Sequence, residues 1–245
     1  MVFNITECVD FHHGKRIVIT ILVCGHDVVI IMHKEGDALL IQQPVYYPFR
    51  EVIEDNGRIF VNNQLHYEDG KYTIDFEDFE KKIVDNNVKV FILCNPHNPV
   101  GRVWTKEELE KMGDICLKHN VVIMDDEIHC DFTYPGFKFT SFMTLDKKYH
   151  NSLVLYTSPS KTFNVAGLQP ANIIIKNQEL RAAYRKANVA AGYSQGSIMG
   201  QVAVKSVYTK GDEWVNELVE YITGNMNYMR DFVKENFPKA QFVDP

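Results

Sequence analysis

Between residues 38 and 175 the apolar positions come in short, nearly unbroken runs at 38–42, 88–94, 121–124, 153–156 and 171–175. Runs this short, bounded by Gly, Pro, Asn or Asp, predict strands covered on both faces. Arg58-Ile59-Phe60-Val61 predicts a further strand and Gly70 a turn. Between the runs the apolar spacing changes to three and four. Phe49, Val52 and Ile53 predict a short helix stopped at Asn56-Gly57, and Phe76, Phe79, Lys82 and Ile83 a second begun near Asp75. Leu109, Met112 and Cys116 predict a third, opened by a capping box in Thr105-Lys106-Glu107-Glu108. Beyond these, helices are expected over about 178–188, 196–208 and a long stretch from Asp212 to Phe237, with Trp214, Leu218, Tyr221 and Ile222 as its apolar stripe. Two more apolar runs, 17–23 and 28–32, lack helical spacing, and the first is expected as a buried strand.

Strands alternating with helices imply crossover units, hence an α/β fold with a largely parallel sheet. No internal repeat or low-complexity linker interrupts it. In such sheets ligands bind outside the carboxyl ends of the strands. Four polar clusters follow strands directly: Gln42 to Tyr46, Asn95 to Gly101, Asp125 to His129, and Ser158 to Lys161. The topology predicts that they gather on one edge.

Composition narrows the class. The chain has 245 residues, 45% hydrophobic and 24% charged, as in ordinary globular proteins. A formal net charge of −6, with no basic block, argues against a nucleic-acid partner. Five cysteines with no CxxC spacing point to reduced thiols and a cytoplasmic setting. Lys15-Arg16 before the run 17–23 imitates a secretory leader, but the run is too short to span a bilayer and lacks a small residue before Cys24. No membrane association is expected.

The candidate edge holds a lysine, a carboxylate pair, an amide, a histidine, serine hydroxyls and an aromatic ring. Neither GxGxxG nor GxxxxGK[ST] occurs. Asp125, Asp126, Glu127, His129 and Asp131 invite a metal reading, but strand alternation divides them between faces and HExxH is absent, so no metal site is expected. Lys161 among hydroxyls, facing a carboxylate, suits a carbonyl cofactor. A lysine forms a Schiff base with pyridoxal phosphate, and an acidic residue pairs with its pyridinium nitrogen.

The segment Ser158-Pro159-Ser160-Lys161-Thr162-Phe163-Asn164-Val165-Ala166-Gly167-Leu168-Gln169 resembles the lysine segment of fold-type I pyridoxal-phosphate enzymes. It is most similar to the cystathionine β-lyase-like (C–S lyase) branch of the class I/II aminotransferase superfamily. Gln43 to Phe49, Asn95 to Arg102 and Asp126 to His129 match that branch in the same order, and the likeness covers about residues 34–245. It implies a seven-stranded-type cofactor domain over 34–210, a poorly matched segment over 1–33, and over 211–245 a long helix leading toward a small domain mostly absent from the chain. By the same resemblance Lys161 holds pyridoxal 5'-phosphate covalently and moves the Cα proton of an amino-acid substrate. Asp126 pairs with the ring nitrogen, Asn98 donates to the ring 3′-oxygen with His129 nearby, and Tyr46 rather than Tyr47 stacks on the ring. Ser158 and Ser160 bind the phosphate.

Complete members of the branch extend further at both ends and act as homodimers. They bring a glycine-containing helix start for the phosphate and an arginine for the substrate carboxylate, neither of which has a counterpart here. Gln169 stands where many aminotransferases place a phosphate-binding arginine. Three readings therefore stand side by side. One is a C–S β-lyase converting cystathionine or another cysteine S-conjugate to pyruvate, ammonia and a thiol. The second is an aminotransferase using the same residues, and the third a truncated, inactive cofactor-domain fragment.

Overall fold

The central strands are sheathed on both sides, which is why their sequences show no polar alternation. The computed structural model describes residues 2–5, 34–190 and 197–243. The expected strand at 17–23 and the apolar run at 28–32 lie outside these. The chain runs through β1 (Val2–Ile5), β2 (Ala38–Ile41), α1 (Pro48–Asp55), β3 (Ile59–Asn62), a small antiparallel hairpin of β4 (His66–Glu68) and β5 (Lys71–Thr73), and α2 (Phe76–Asp85). It continues with β6 (Val90–Cys94), α3 (Lys106–Lys118), β7 (Val122–Asp126), β8 (Leu153–Thr157) and β9 (Ala171–Ile175). Three helices follow: α4 (Gln178–Ala190), α5 (Ile198–Lys210) and α6 (Asp212–Asn236).

Seven strands form one sheet in the order β1-β9-β8-β7-β6-β2-β3. The five from β8 to β3 are mutually parallel, while β9 and β1 pair antiparallel at one side. One face packs Leu40, Phe91, Leu93, Ile123 and Leu155 against Phe79 of α2 and Leu109 and Met112 of α3. The other packs Leu39, Ile92, Met124, Val154 and Tyr156 against Ile53 of α1 and Tyr184 of α4. Each such side chain contributes about 1.5–3 kcal/mol on burial, more than the roughly 1 kcal/mol of a helix cap, so these two layers hold the sheet. The capping box of α3 forms as its sequence requires. Thr105 Oγ1 accepts from the Glu108 amide at 3.2 Å, and Glu108 Oε2 accepts from the Thr105 amide at 2.8 Å.

Three details differ from expectation. Strand β7 continues through Asp125 and Asp126 instead of stopping at Met124, because the backbone of both residues keeps ladder partners in β6 and β8. Around Gly70, where only a turn was expected, the chain makes the β4–β5 hairpin, three residues to a strand and too short for periodicity to register. The stripe on α6 is not buried. Trp214 is 52% and Tyr221 70% exposed, and no residue of α6 is buried. Helical spacing marks a face able to bury but does not say what covers it.

Candidate active site

Strands β8, β7, β6 and β2 are consecutive in the sheet and parallel, so the turns after them open on one edge. Those turns are the four polar clusters. From β2 the chain steps to β3 on one side and later to β6 on the other, so the strand order reverses between β2 and β6. Such a reversal leaves a crevice at the carboxyl ends.

Asp126 ends β7 opposite Cys94 of β6 and Tyr156 of β8, on the rim of the face that carries Met124. Its Oδ1 accepts from the Ile128 amide at 3.1 Å. Burial pushes the carboxyl up to about 7, against the Ile128 N–H and the Lys161 ammonium, which pull it down. His129 is half-buried. Desolvation first and the Lys161 charge second lower its basicity, so the ring is neutral near pH 7. Lys161 itself is exposed. Burial, then the charges of Tyr47 and Asp126, raise the Tyr46 hydroxyl, whose ring stands edge-on to Phe49 at 5.7 Å. Tyr46 is therefore within electrostatic reach of Asp126, and Asp126 and His129 are each within reach of Lys161, while Tyr47 turns outward at 70% exposure.

Asn98 sits in the turn after β6 with its amide N–H on Cys94 Sγ at 3.4 Å, and its side chain is partly exposed. That turn is braced from below. Arg102 Nη2 donates to both carboxylate oxygens of Glu108 at 2.9 Å, while its Nη1 donates to the Tyr72 carbonyl. Trp104 Nε1 donates to the Cys94 carbonyl at 3.0 Å, and the buried His97 ring reaches the Pro44 carbonyl at 3.0 Å, tying this turn to the one after β2. Gly101 takes a φ of 76°, a left-handed conformation that favours glycine, where the turn folds back on His97.

Ser158 and Ser160 are placed differently from the rest. Both are buried, with Ser158 Oγ 2.6 Å from Ser160 Oγ and 2.5 Å from the Pro170 carbonyl. Ser160 Oγ also reaches that carbonyl at 3.4 Å. As they stand, both hydroxyls face inward. Among the described residues no three His, Cys, Asp or Glu side chains are grouped to hold a metal ion.

Some of the site's architecture escaped the sequence. Asp125 and Glu127 point to the far face of the sheet and meet there; Glu127 Oε1 also accepts from the Phe142 amide at 2.9 Å. Thr162 Oγ1 donates to Asp131 Oδ2 at 2.7 Å. Adjacency to Lys161 was the available signal for Thr162, but nothing in the spacing pairs it with Asp131.

Comparison with known proteins gives the family. Residues 24–244 match the family described as aminotransferase class I and II. The chain belongs to that family. Cystathionine beta-lyase PatB of Bacillus subtilis is 42% identical over 86% of this chain and 54% of its own length. The structure of cystalysin from Treponema denticola, whose description states that it contains pyridoxal 5'-phosphate, superposes with a TM-score of 0.88 at 35% identity, over 97% of this chain and 57% of its own. A PLP-bound C–S lyase from Staphylococcus hominis gives 0.82 at 34%, over 90% and 55%. The chain thus spans about half the length of the relatives it matches. Family membership accounts for the seven-stranded, mainly parallel sheet with flanking helices.

Proposed function

We propose that this chain binds pyridoxal 5'-phosphate through Lys161 and serves carbon–sulfur β-elimination on a cysteine S-conjugate such as cystathionine. The single observation behind this reading is the meeting of an exposed amine, Lys161, with the raised carboxyl of Asp126 on an edge whose relatives are C–S lyases. The residues fit the cofactor at its ring. Asp126 accepts from the Ile128 amide among the described residues, and a pyridinium N–H would answer its remaining acceptor capacity. At the phosphate the fit is partial, because Ser158 and Ser160 must turn away from the Pro170 carbonyl to donate.

Bound pyridoxal phosphate supplies an electron sink for an amino acid that loses its α-proton. The chain's own residues do the rest. Asp126, ionised beside a cationic ring nitrogen, keeps that nitrogen protonated. Tyr46 covers one side of the crevice with its ring, and Asn98 offers an amide donor from the turn after β6. His129, neutral, supplies a hydrogen bond without adding charge beside Lys161. The exposed Nζ of Lys161 reaches substrate from solvent and takes or returns the Cα proton.

The large domain is assigned to residues 34–210, and 211–245 to the helix that leads out of it. A homodimer in the cytoplasm completes the proposal. Exposed apolar side chains on α5, Ile198, Met199 and Val202, support self-association, and the free thiols of Cys94, Cys116 and Cys130 suit a reducing compartment. The test is release of pyruvate from L-cystathionine with no keto acid added. Pyruvate lost in Lys161→Ala supports the lyase. Amino-group transfer that requires a keto acid would make the chain an aminotransferase.

A further inference from the structure

We propose that Thr162 is a positioning residue for Lys161, gripped from two sides by Asp131 and Trp214. The inference rests on the cofactor reading for its purpose, but its geometry stands alone. Lys161 is exposed, whereas Thr162, the next residue, is 1% exposed. Its hydroxyl donates to Asp131 Oδ2 at 2.7 Å, and its carbonyl accepts from Trp214 Nε1 at 3.0 Å. The first of these joins a hydroxyl to an acidic side chain and is stronger than a neutral pair when Asp131 is ionised.

The two partners come from different parts of the fold. Asp131 lies in the turn after β7, five residues past Asp126 and two past His129. Its bond to Thr162 therefore ties the carboxylate-bearing turn to the lysine-bearing turn. Trp214 stands in the first turn of α6 and is half exposed, so its hydrogen bond, not burial, is its main engagement with the fold. The junction before α6 closes the grip. A Cβ on Gly211 would collide with the Phe163 ring and the Val207 carbonyl, and Tyr208 stands edge-on to Phe163 at 6.4 Å.

A lysine side chain has four rotatable bonds, so where its amine can go is set by how firmly its backbone is held. Displacing a reacting group by about 1 Å costs on the order of a hundredfold in rate. Anchoring residue 162 from both the β7 turn and α6 leaves Nζ free to move while fixing its pivot.

The test uses the full 245-residue chain with Thr162→Val, Thr162→Ser and Trp214→Phe. Amide hydrogen exchange of residues 160–165 is read without cofactor, and borohydride trapping of added pyridoxal 5'-phosphate is mapped to Lys161 against the other lysines. Thr162→Val and Trp214→Phe are expected to speed exchange in that segment roughly tenfold while β6 keeps its protection, the size of one lost hydrogen bond. Selectivity for Lys161 falls by a similar factor, and Thr162→Ser restores both. Unchanged exchange in Thr162→Val and Trp214→Phe, or a Thr162→Ser variant no better than Thr162→Val, overturns the proposal. Should Thr162→Val lose the protection of β6, Trp214→Phe decides alone. Absence of trapping in the unaltered chain would overturn the cofactor reading, and the exchange measurement would still decide the grip.

Discussion

Asp125 and Asp126 are neighbours in β7 and lie on opposite faces of the sheet. Asp125 stands between Leu93 and Leu155, 0% exposed, while Asp126 stands beside Cys94 and Tyr156 at the open edge. Strand alternation alone makes one carboxyl part of the core and leaves the other on the open edge.

Asp126 makes stability fall with pH. Its carboxyl titrates near 7 when folded, against an ordinary value of 3.8. Between those two values the folded chain keeps a proton that the unfolded chain has released, so raising the pH favours unfolding. This stabilisation is complete below about pH 4 and lost by about pH 7. Asp126→Asn is expected to gain stability over the unaltered protein across that window, by on the order of 2 kcal/mol at pH 8. Urea titrations of the cofactor-free protein at pH 5 and pH 8 check it.

The partner on the hidden face behaves differently. Burial, then the charge of Glu127, hold the Asp125 carboxyl well above the usual range. Two carboxyls can hydrogen-bond only by sharing a proton. In Asp125→Asn the amide donates to Glu127 permanently, leaving the bond to the Phe142 amide intact. The variant is expected to be more stable than the unaltered chain at pH 8 and near parity at pH 5. Glu127→Ala strands both partners and is expected to cost roughly 3 kcal/mol at either pH, read by thermal unfolding.

Arg102 tests the brace under the Asn98 turn. It is 8% exposed, bridges Glu108 and lies 4.8 Å over the Trp104 ring. Arg102→Met keeps the stem but leaves Glu108 unpaired, and an expected loss of roughly 3 kcal/mol follows from an uncompensated, largely buried charge. Lys in its place recovers only part of this, because one ammonium cannot serve Glu108 and the Tyr72 carbonyl from two fixed nitrogens as the guanidinium does. Denaturant midpoints of the two variants give the comparison.

Much of this was legible in the residues because each local signal had a single physical meaning. Runs such as Leu39-Leu40-Ile41 have no polar side to expose, and the Thr105–Glu108 box has one geometry. Strands consecutive in a parallel sheet must release their turns on one edge, so Tyr46, Asp126, His129 and Lys161 came together. What stayed hidden depends on side-chain direction and distant partners. Ser158 and Ser160 look like ligands in sequence, yet their short hydroxyls find the Pro170 carbonyl first. Trp214 reads as one more apolar position on a helix, and only the fold brings its N–H to residue 162.

The measurement that bears most directly on the central claim is reduction of the protein with borohydride after addition of pyridoxal 5'-phosphate, followed by peptide mapping. A pyridoxyl group concentrated on Lys161, with Asp126→Ala weakening its capture and Lys161→Ala abolishing it, is the predicted result. Label spread evenly over the surface lysines, unchanged in either variant, would contradict the account.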